Sequence, residues 1–252
     1  MHADALHVEY GGKGFNQAVA AARWGAEVSF LAAVGAADAA PMGAVLDGEG
    51  IAHRLVVKEG ASAYAAILTD PSGETRVTVY PGVRLEVADA EAFEDEIAAA
   101  AILLLTNEVP EAVNVRAVEL AARHGTKVIF NPAPARPLPE SILRGAWLFT
   151  PNAFETAGLE ANRNVVETRG GEGCFIRATG RLVSAEPVGA VVDTTGAGDT
   201  FNGVLAAELA GGAELERACA AANAAAGLSV TKRYVLPSIP FNPNHESRTA
   251  KL

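Results

Sequence analysis

The chain has 252 residues, half of them apolar, with a formal net charge of −10 and a pI near 5.0. That length and apolar share suit one large domain with a substantial core. The acidic balance argues against a nucleic-acid or anionic-membrane partner, because such surfaces are gripped by clustered Lys and Arg.

The opening residues carry no apolar signal core, and no apolar run reaches membrane-spanning length. The first informative stretch is Gly11-Gly12-Lys13-Gly14-Phe15-Asn16-Gln17, a glycine cluster opening the helix-periodic run Ala18 to Trp24, with Lys13, Asn16 and Gln17 gathered at its mouth. Short β-like runs then alternate with Ala-rich helical ones. Val28 to Val34, Ile102 to Thr106, Lys127 to Asn131 and Trp147 to Thr150 predict strands, and Glu111 to His124 a helix, which together predict a parallel sheet covered by helices. Glu108 follows the 102–106 strand at its carboxyl end, where ligands of parallel sheets bind. Ala63 to Thr69 and Thr75 to Tyr80, joined by Asp70-Pro71-Ser72-Gly73, predict an antiparallel hairpin whose edge needs cover.

Further on, Asn152 and Glu155 stand three apart at an expected helix start. They can share one face, or serve simply as a cap and its capping-box glutamate. Leu182 to Ala185 and Ala190 to Val192 are β-like, Thr200 to Ala210 and Leu215 to Thr231 helical, and the polar tail 242–252 is expected to be loosely ordered. Cys174 and Cys219 are the only cysteines. They fit buried apolar roles in a reducing, cytoplasmic compartment rather than a disulfide or metal framework.

The most informative stretch is Asp193-Thr194-Thr195-Gly196-Ala197-Gly198-Asp199-Thr200-Phe201-Asn202-Gly203. Small residues from Gly196 to Gly198 let successive N–H groups point one way at a helix mouth, which makes an anion cradle. A carboxylate is a poor anion ligand, so Asp199 there reads as a base that takes a proton from an incoming hydroxyl. The combination predicts phosphoryl transfer to an alcohol. The plainer possibility is that Asp199 caps the helix; the second glycine-rich mouth at residues 11–17 favours a site. No G-x-x-x-x-G-K-[ST] loop occurs, GAGDTF fails G-x-G-x-x-G at its last position, the five histidines have no metal spacing, and no G-x-S-x-G elbow is present.

GGKGFNQAVAAARWGA near the start and DTTGAGDTFNG near the end resemble the two signatures of the ribokinase family of sugar kinases, the PfkB group. NPAPA (Asn131 to Ala135), TPNAFE (Thr150 to Glu155) and TRGGEG (Thr168 to Gly173) resemble ribokinase segments in the same order. The resemblance spans nearly the whole chain. It implies an α/β ribokinase-like fold: one domain over residues 1–252, with a mainly parallel central sheet flanked by helices on both faces. A small β-sheet lid near residues 6–12 and 61–82, with Val8 to Tyr10 as one strand, would cover the sugar and form a homodimer contact.

The resemblance also implies an ATP-dependent kinase acting on a primary hydroxyl, the C5 hydroxyl of D-ribose. Asp199 would be the base and the backbone of Gly196, Ala197 and Gly198 the anion hole. Gly12, Lys13, Asn16 and Glu108 would hold the sugar. Asn152, Thr168, Gly170, Gly173, Gly198 and Asn223 would line the nucleotide. Asn152 and Glu155 would hold Mg²⁺ through water, and Asp193, the Thr195 carbonyl and Ser238 would hold a monovalent cation, K⁺.

The chain departs from that pattern in four places. A ribokinase carries a strand with a sugar-binding aspartate before the GGKG segment. Glu160 to Asn164 stands where the family has a further helix and strand, which suggests residues missing between Leu159 and Val165. Tyr234 replaces a usual glycine near the cation residues. Phe15 replaces a small residue, and a nucleoside could stack on it. The alternatives are therefore a kinase of another sugar or a nucleoside, or a catalytically silent sensor that keeps the fold.

Overall fold

The computed structural model describes residues 5–69 and 75–243. Its elements in chain order are α1 (Lys13–Arg23), β1 (Ser29–Gly35), α2 (Ala36–Gly48), β2 (Ala52–Lys58), β3 (Tyr64–Thr69), β4 (Thr75–Tyr80), α3 (Val87–Glu91), α4 (Glu94–Ala99), β5 (Ile102–Thr106) and α5 (Glu111–His124). They continue with β6 (Lys127–Asn131), α6 (Glu140–Gly145), β7 (Leu148–Phe149), β8 (Val166–Thr168), β9 (Gly173–Ile176), β10 (Arg181–Ser184), α7 (Ala197–Ala210), α8 (Leu215–Ser229) and α9 (Val235–Ser238).

The sequence rhythm accounts for the layering. Strands β1 and β2 pair in parallel, as do β5, β6 and β7, and β7 runs on into β8 through parallel bridges at Phe149↔Val165 and Asn152↔Thr168. Strands β8, β9 and β10 form a small antiparallel sheet, and β3 with β4 the expected hairpin. Successive residues of a strand face opposite ways, and β6 shows the consequence: Val128 and Phe130 pack with Phe93, Leu120 and Phe149 under α4 and α5, while Ile129 packs with Leu148, Phe201 and Leu205 under α7. A strand covered on both faces is apolar where the cover lies, as Val128 to Phe130 of β6 are. A third cluster of Phe15, Val19, Val34 and Leu46 joins α1 and α2 to β1.

Helix α5 has the expected ends, because Gly125 takes the left-handed conformation (φ 75°) that closes a helix, after Arg123 and His124 in its last turn.

Four expectations are corrected. No helix follows Asn152; the segment makes turns, with Gly158 at φ 82°, because residues 156–164 offer no apolar period to bury a helical face. Between Leu159 and Val165, Asn162 N–H donates to the Leu159 carbonyl, and Phe149 N–H to that of Asn164. Residues 5–12 form no strand, so the β3–β4 hairpin stands without Val8 to Tyr10. Residues 190–192 also form no strand; the Val192 amide bonds the Val230 carbonyl at 2.8 Å instead. Helix α7 begins at Ala197, three residues earlier than expected, because Gly196 (φ 77°) is its N-cap. The turn at Asp70 to Gly73 and the tail beyond residue 243 lie outside the described residues.

Candidate active site

Helices α1 and α7 cross closely and bring both glycine-rich mouths together. A Cβ on Gly203 would stand 2.3 Å from the Gln17 carbonyl oxygen and 2.6 Å from the Ala20 Cβ, so only glycine permits this approach. One turn before Gly203 is Asp199, 7 % exposed, in the first turn of α7. It does not cap the helix, because Gly196 holds that position and no side-chain cap bond is present. Its carboxylate turns to α1: Asn16 Nδ2 donates to Oδ2 at 2.9 Å, and Gln17 Nε2 to Oδ1 at 3.1 Å. Burial raises the Asp199 pKa above the ordinary carboxylate value, opposed by the Lys13 charge and by these two amides.

The amides of Gly198 and Asp199 find no acceptor among the described residues, whereas Ala197 N–H reaches the Thr194 carbonyl at 3.3 Å and Thr200 N–H that of Gly196 at 2.8 Å. The open donors of the mouth thus include Gly198, and Ala197 is partly engaged in the preceding turn. Free N–H groups and the helix dipole both favour an anion here. A cavity of about 220 Å³ covers this mouth and is lined by Asp199, Gly196, Gly198, Lys13, Asn152, Glu155 and Thr168, with Asn131, Thr150 and Asn202 on its floor. A second cleft of about 490 Å³ adjoins it, sharing Asn152 and Thr168 and running over Phe154, Arg169 and Gly170.

Gly12 opens α1 at φ 95°, a conformation side chains rarely take. Lys13 N–H donates to Glu108 Oε2 at 2.7 Å, and a Cβ on Gly12 would lie 3.6 Å from the same oxygen. Glu108 is pushed above its ordinary pKa by desolvation and also by the Asp199 charge, with Lys13 opposing. The structure therefore groups Gly12, Lys13, Asn16, Glu108 and Asp199 at one end of the site.

The residues expected around a nucleotide and a metal divide. Asn152 and Glu155 meet, but in a turn rather than on a helix face: Asn152 Nδ2 and N–H donate to the two Glu155 carboxylate oxygens at 2.9 Å each. Both still line the inner cavity, so their polar groups fit outer contacts to a hydrated cation, the mode Mg²⁺ prefers. Thr168 and Gly170 line the outer cleft. Gly173 does not; at φ 104°, its Cβ would lie 2.1 Å from the Val183 carbonyl, so this glycine serves the close β9–β10 approach. Asn223 is buried with its Nδ2 on the Val183 carbonyl at 2.8 Å and lines neither cavity.

Asp193 Oδ1 accepts from Thr195 N–H at 2.9 Å, and the Ser238 hydroxyl donates to the Val235 carbonyl at 2.8 Å, which leaves oxygen lone pairs of both for a hard cation. Tyr234 keeps the backbone a glycine would supply, at φ 67°, with its ring stacked on His7 at 3.6 Å between centroids. Phe15 is 2 % exposed and packs edge-on against Phe30, so it belongs to the core and gives no platform for a base. Among the described residues no cluster of three or more His, Cys, Asp or Glu side chains forms a metal site.

Sequence reasoning missed Asn131, Thr150 and Asn202, which bond in series beneath Asp199. NPAPA and TPNAFE contained the first two, but nothing local says that a buried Asn will accept from a helix on the far side of the fold.

The model of the pfkB family of carbohydrate kinases matches residues 1–242. The chain is 33 % identical to a ribokinase of Haemophilus influenzae, over 92 % of this chain and 85 % of that one. It is 35 % identical to a bifunctional ribokinase/ribose-5-phosphate isomerase A of Fructilactobacillus sanfranciscensis, over 79 % of this chain and only 42 % of that longer protein. Among solved structures it resembles a ribokinase of Thermotoga maritima, with TM-score 0.84, 28 % identity, and 96 % and 88 % of the two chains covered. It also resembles an Arabidopsis thaliana ribokinase complexed with ribose and ATP, with TM-score 0.79, 25 % identity, and 92 % and 85 % covered.

Proposed function

This chain belongs to the pfkB family of carbohydrate kinases, and from that premise we propose that it transfers the γ-phosphate of ATP to the C5 hydroxyl of D-ribose, giving ribose 5-phosphate and ADP. Membership makes it a phosphotransferase with an alcohol acceptor. The choice of ribose is supported by relatives named ribokinase and by the neighbour that holds ribose and ATP.

The observation that carries the reading is Asp199: a buried carboxylate in the first turn of a helix whose free amides open into a cavity. The acceptor hydroxyl lies between Gly12, Lys13, Asn16 and Glu108 and gives its proton to Asp199. Its oxygen then bonds the γ-phosphorus as the bond to the β-bridging oxygen breaks, and that electron pair leaves with ADP. The Gly196 to Gly198 backbone stabilises charge on the moving group, an effect worth roughly 3 kcal/mol per preorganised donor. Lys13 adds a positive charge at the same mouth. Thr168 and Gly170 line the phosphate side, with Gly173 and Asn223 behind them as supports of the β9–β10 wall. Asn152 and Glu155 would hold Mg²⁺ through water, and the ion when bound neutralises phosphate charge. Asp193, the Thr195 carbonyl and Ser238 are the residues that would hold K⁺.

We read the working form as a cytoplasmic homodimer joined through the hairpin. Cys174 and Cys219 are both free and buried, in keeping with a reducing compartment. Ile67, Val77 and Val79 on the hairpin are each at least half exposed.

ADP release measured with ribose, fructose, 2-deoxyribose and adenosine, with and without Mg²⁺ and with K⁺ replaced by a larger cation, tests this. Ribose with Mg²⁺ is expected to give the highest kcat/KM. Preference for another acceptor would change the substrate assignment, and silence on all four would favour a sensor.

A further inference from the structure

Gln17 is 1 % exposed and does not line the cavity, yet its amide reaches the Asp199 carboxylate. Its Nε2 gives both hydrogens inside the protein, to Asp199 Oδ1 at 3.1 Å and to Asn131 Oδ1 at 3.2 Å. Asn131 is oriented as an acceptor because its own Nδ2 donates to the Thr150 carbonyl at 2.9 Å. The Thr150 hydroxyl then donates to Asn202 Oδ1, and Asn202 Nδ2 to the Gly198 carbonyl at 2.8 Å, so the series closes on the turn of α7 that carries Asp199. Gln17 Oε1, by contrast, has no partner among the described residues. A buried acceptor left unpaired is unfavourable, which singles out the Nε2 bonds as what this glutamine is placed to make.

We propose that Gln17, oriented by Asn131, is a positioning residue that locks the Asp199 carboxylate so that Oδ2, on the Asn16 side, faces the acceptor hydroxyl. The last torsion of an aspartate is broad and nearly two-fold, so an untethered carboxylate would present either oxygen over a wide range of angles. Gln17 makes the two oxygens inequivalent: Oδ1 is held from the core, and Oδ2 is left to Asn16 and the cavity. This rests on the reading of Asp199 as the base.

Hydrogen bonds to the ionised form also favour it, so Gln17 acts against the burial that raises the pKa of Asp199. The other charged groups around Asp199 are Lys13 at the mouth of α1, which lowers its pKa, Glu108 beyond β5 and Glu155 across the cavity. Strand β5 has no titratable side chain, and β6 only Lys127, whose Nζ lies over the Trp147 ring. On α8, Glu216 pairs with Arg181, and neither it nor Arg217 acts on Asp199.

The test compares Gln17→Met, Asn131→Ala and Asp199→Asn with the parent enzyme, each checked by circular dichroism. Gln17→Met is expected to lower kcat by about tenfold or more while the sugar KM moves less than about twofold, because misplacing a reacting group affects turnover before binding. Its acidic limb of kcat should move upward by about half a pH unit. Asn131→Ala should move both in the same direction by less, and it serves alone if the glutamine variant does not fold. Parental kcat and an unmoved acidic limb in whichever variants fold would overturn the proposal, as would a loss confined to KM. If Asp199→Asn itself keeps parental turnover, the base assignment is what fails. An inactive Asp199→Asn beside a parental Gln17→Met removes only the positioning role.

Discussion

Asp199 carries a conflict between stability and chemistry. The carboxylate is buried beneath α1 with only two amides and a nearby lysine to offset the lost water. Asp199→Asn is expected to reduce kcat by ~10²–10⁴, the range for losing a general base, with sugar binding retained by calorimetry. The sign of its stability effect follows from the raised pKa. A carboxyl whose folded-state value lies above its unfolded one favours the fold when protonated, and loses that contribution as pH rises through the folded value. Above that raised value the ionised Asp199 therefore destabilises the protein, and the asparagine variant should melt higher there. The gap should close on acidification from that raised value down to the ordinary aspartate range, and a gap that widened instead would contradict the burial argument. In activity the same shift has the opposite consequence: the acidic limb of kcat should lie above an ordinary aspartate value, since only the ionised base accepts a proton.

At the scale of elements, the site depends on how near α1 comes to α7. The Gly203 Cα faces α1 backbone: an added Cβ would stand 2.9 Å from the Ala21 amide nitrogen as well as crowding Gln17 and Ala20. Backbone cannot rotate away as a flexible side chain can, so Gly203→Ala must push the helices apart. We expect it to destabilise the fold by about 1–3 kcal/mol in urea titration and to reduce kcat through lengthened Asn16 and Gln17 bonds to Asp199. An alanine variant with parental stability and turnover would mean that the crossing is looser than these distances indicate.

The same scale shows where pattern reading succeeded. Helix α5 was legible at both ends because Val113, Ala117, Leu120 and Ala121 repeat on one face and Gly125 terminates it. Asn152 to Glu155 misled because it carries the local signals of a helix start without the apolar period that would give a helix something to bury. The residues close a turn on each other instead.

For the whole molecule, the feature that asks for a partner is the hairpin. Cross-strand pairing sets Ala65 opposite Val79 and Ile67 opposite Val77, which places these four on one face. Ile67 is 50 %, Val77 56 % and Val79 65 % exposed. Apolar β-branched residues on an open two-stranded sheet mark an association surface. Ile67→Lys with Val79→Lys is expected to convert a dimer to a monomer in sedimentation velocity, and a parent that already sediments as a monomer would refute the hairpin contact.

Much was readable before any fold was built. Glycine spacing marked both helix mouths, alternating β and α runs specified a parallel sheet covered by helices, and Asp199 beside small residues pointed to phosphoryl transfer. Those are short-range properties, set by backbone freedom and by the period of apolar side chains. The amide partners of each Asp199 oxygen, the series through Asn131, Thr150 and Asn202, and the removal of Phe15 to the core emerged only when α1 packed on α7. The bonds from Asn16 and Gln17 join residues more than a hundred positions apart, and hydrogen-bond direction depends on where both partners end up in space, for which a single strand of sequence carries no local signal.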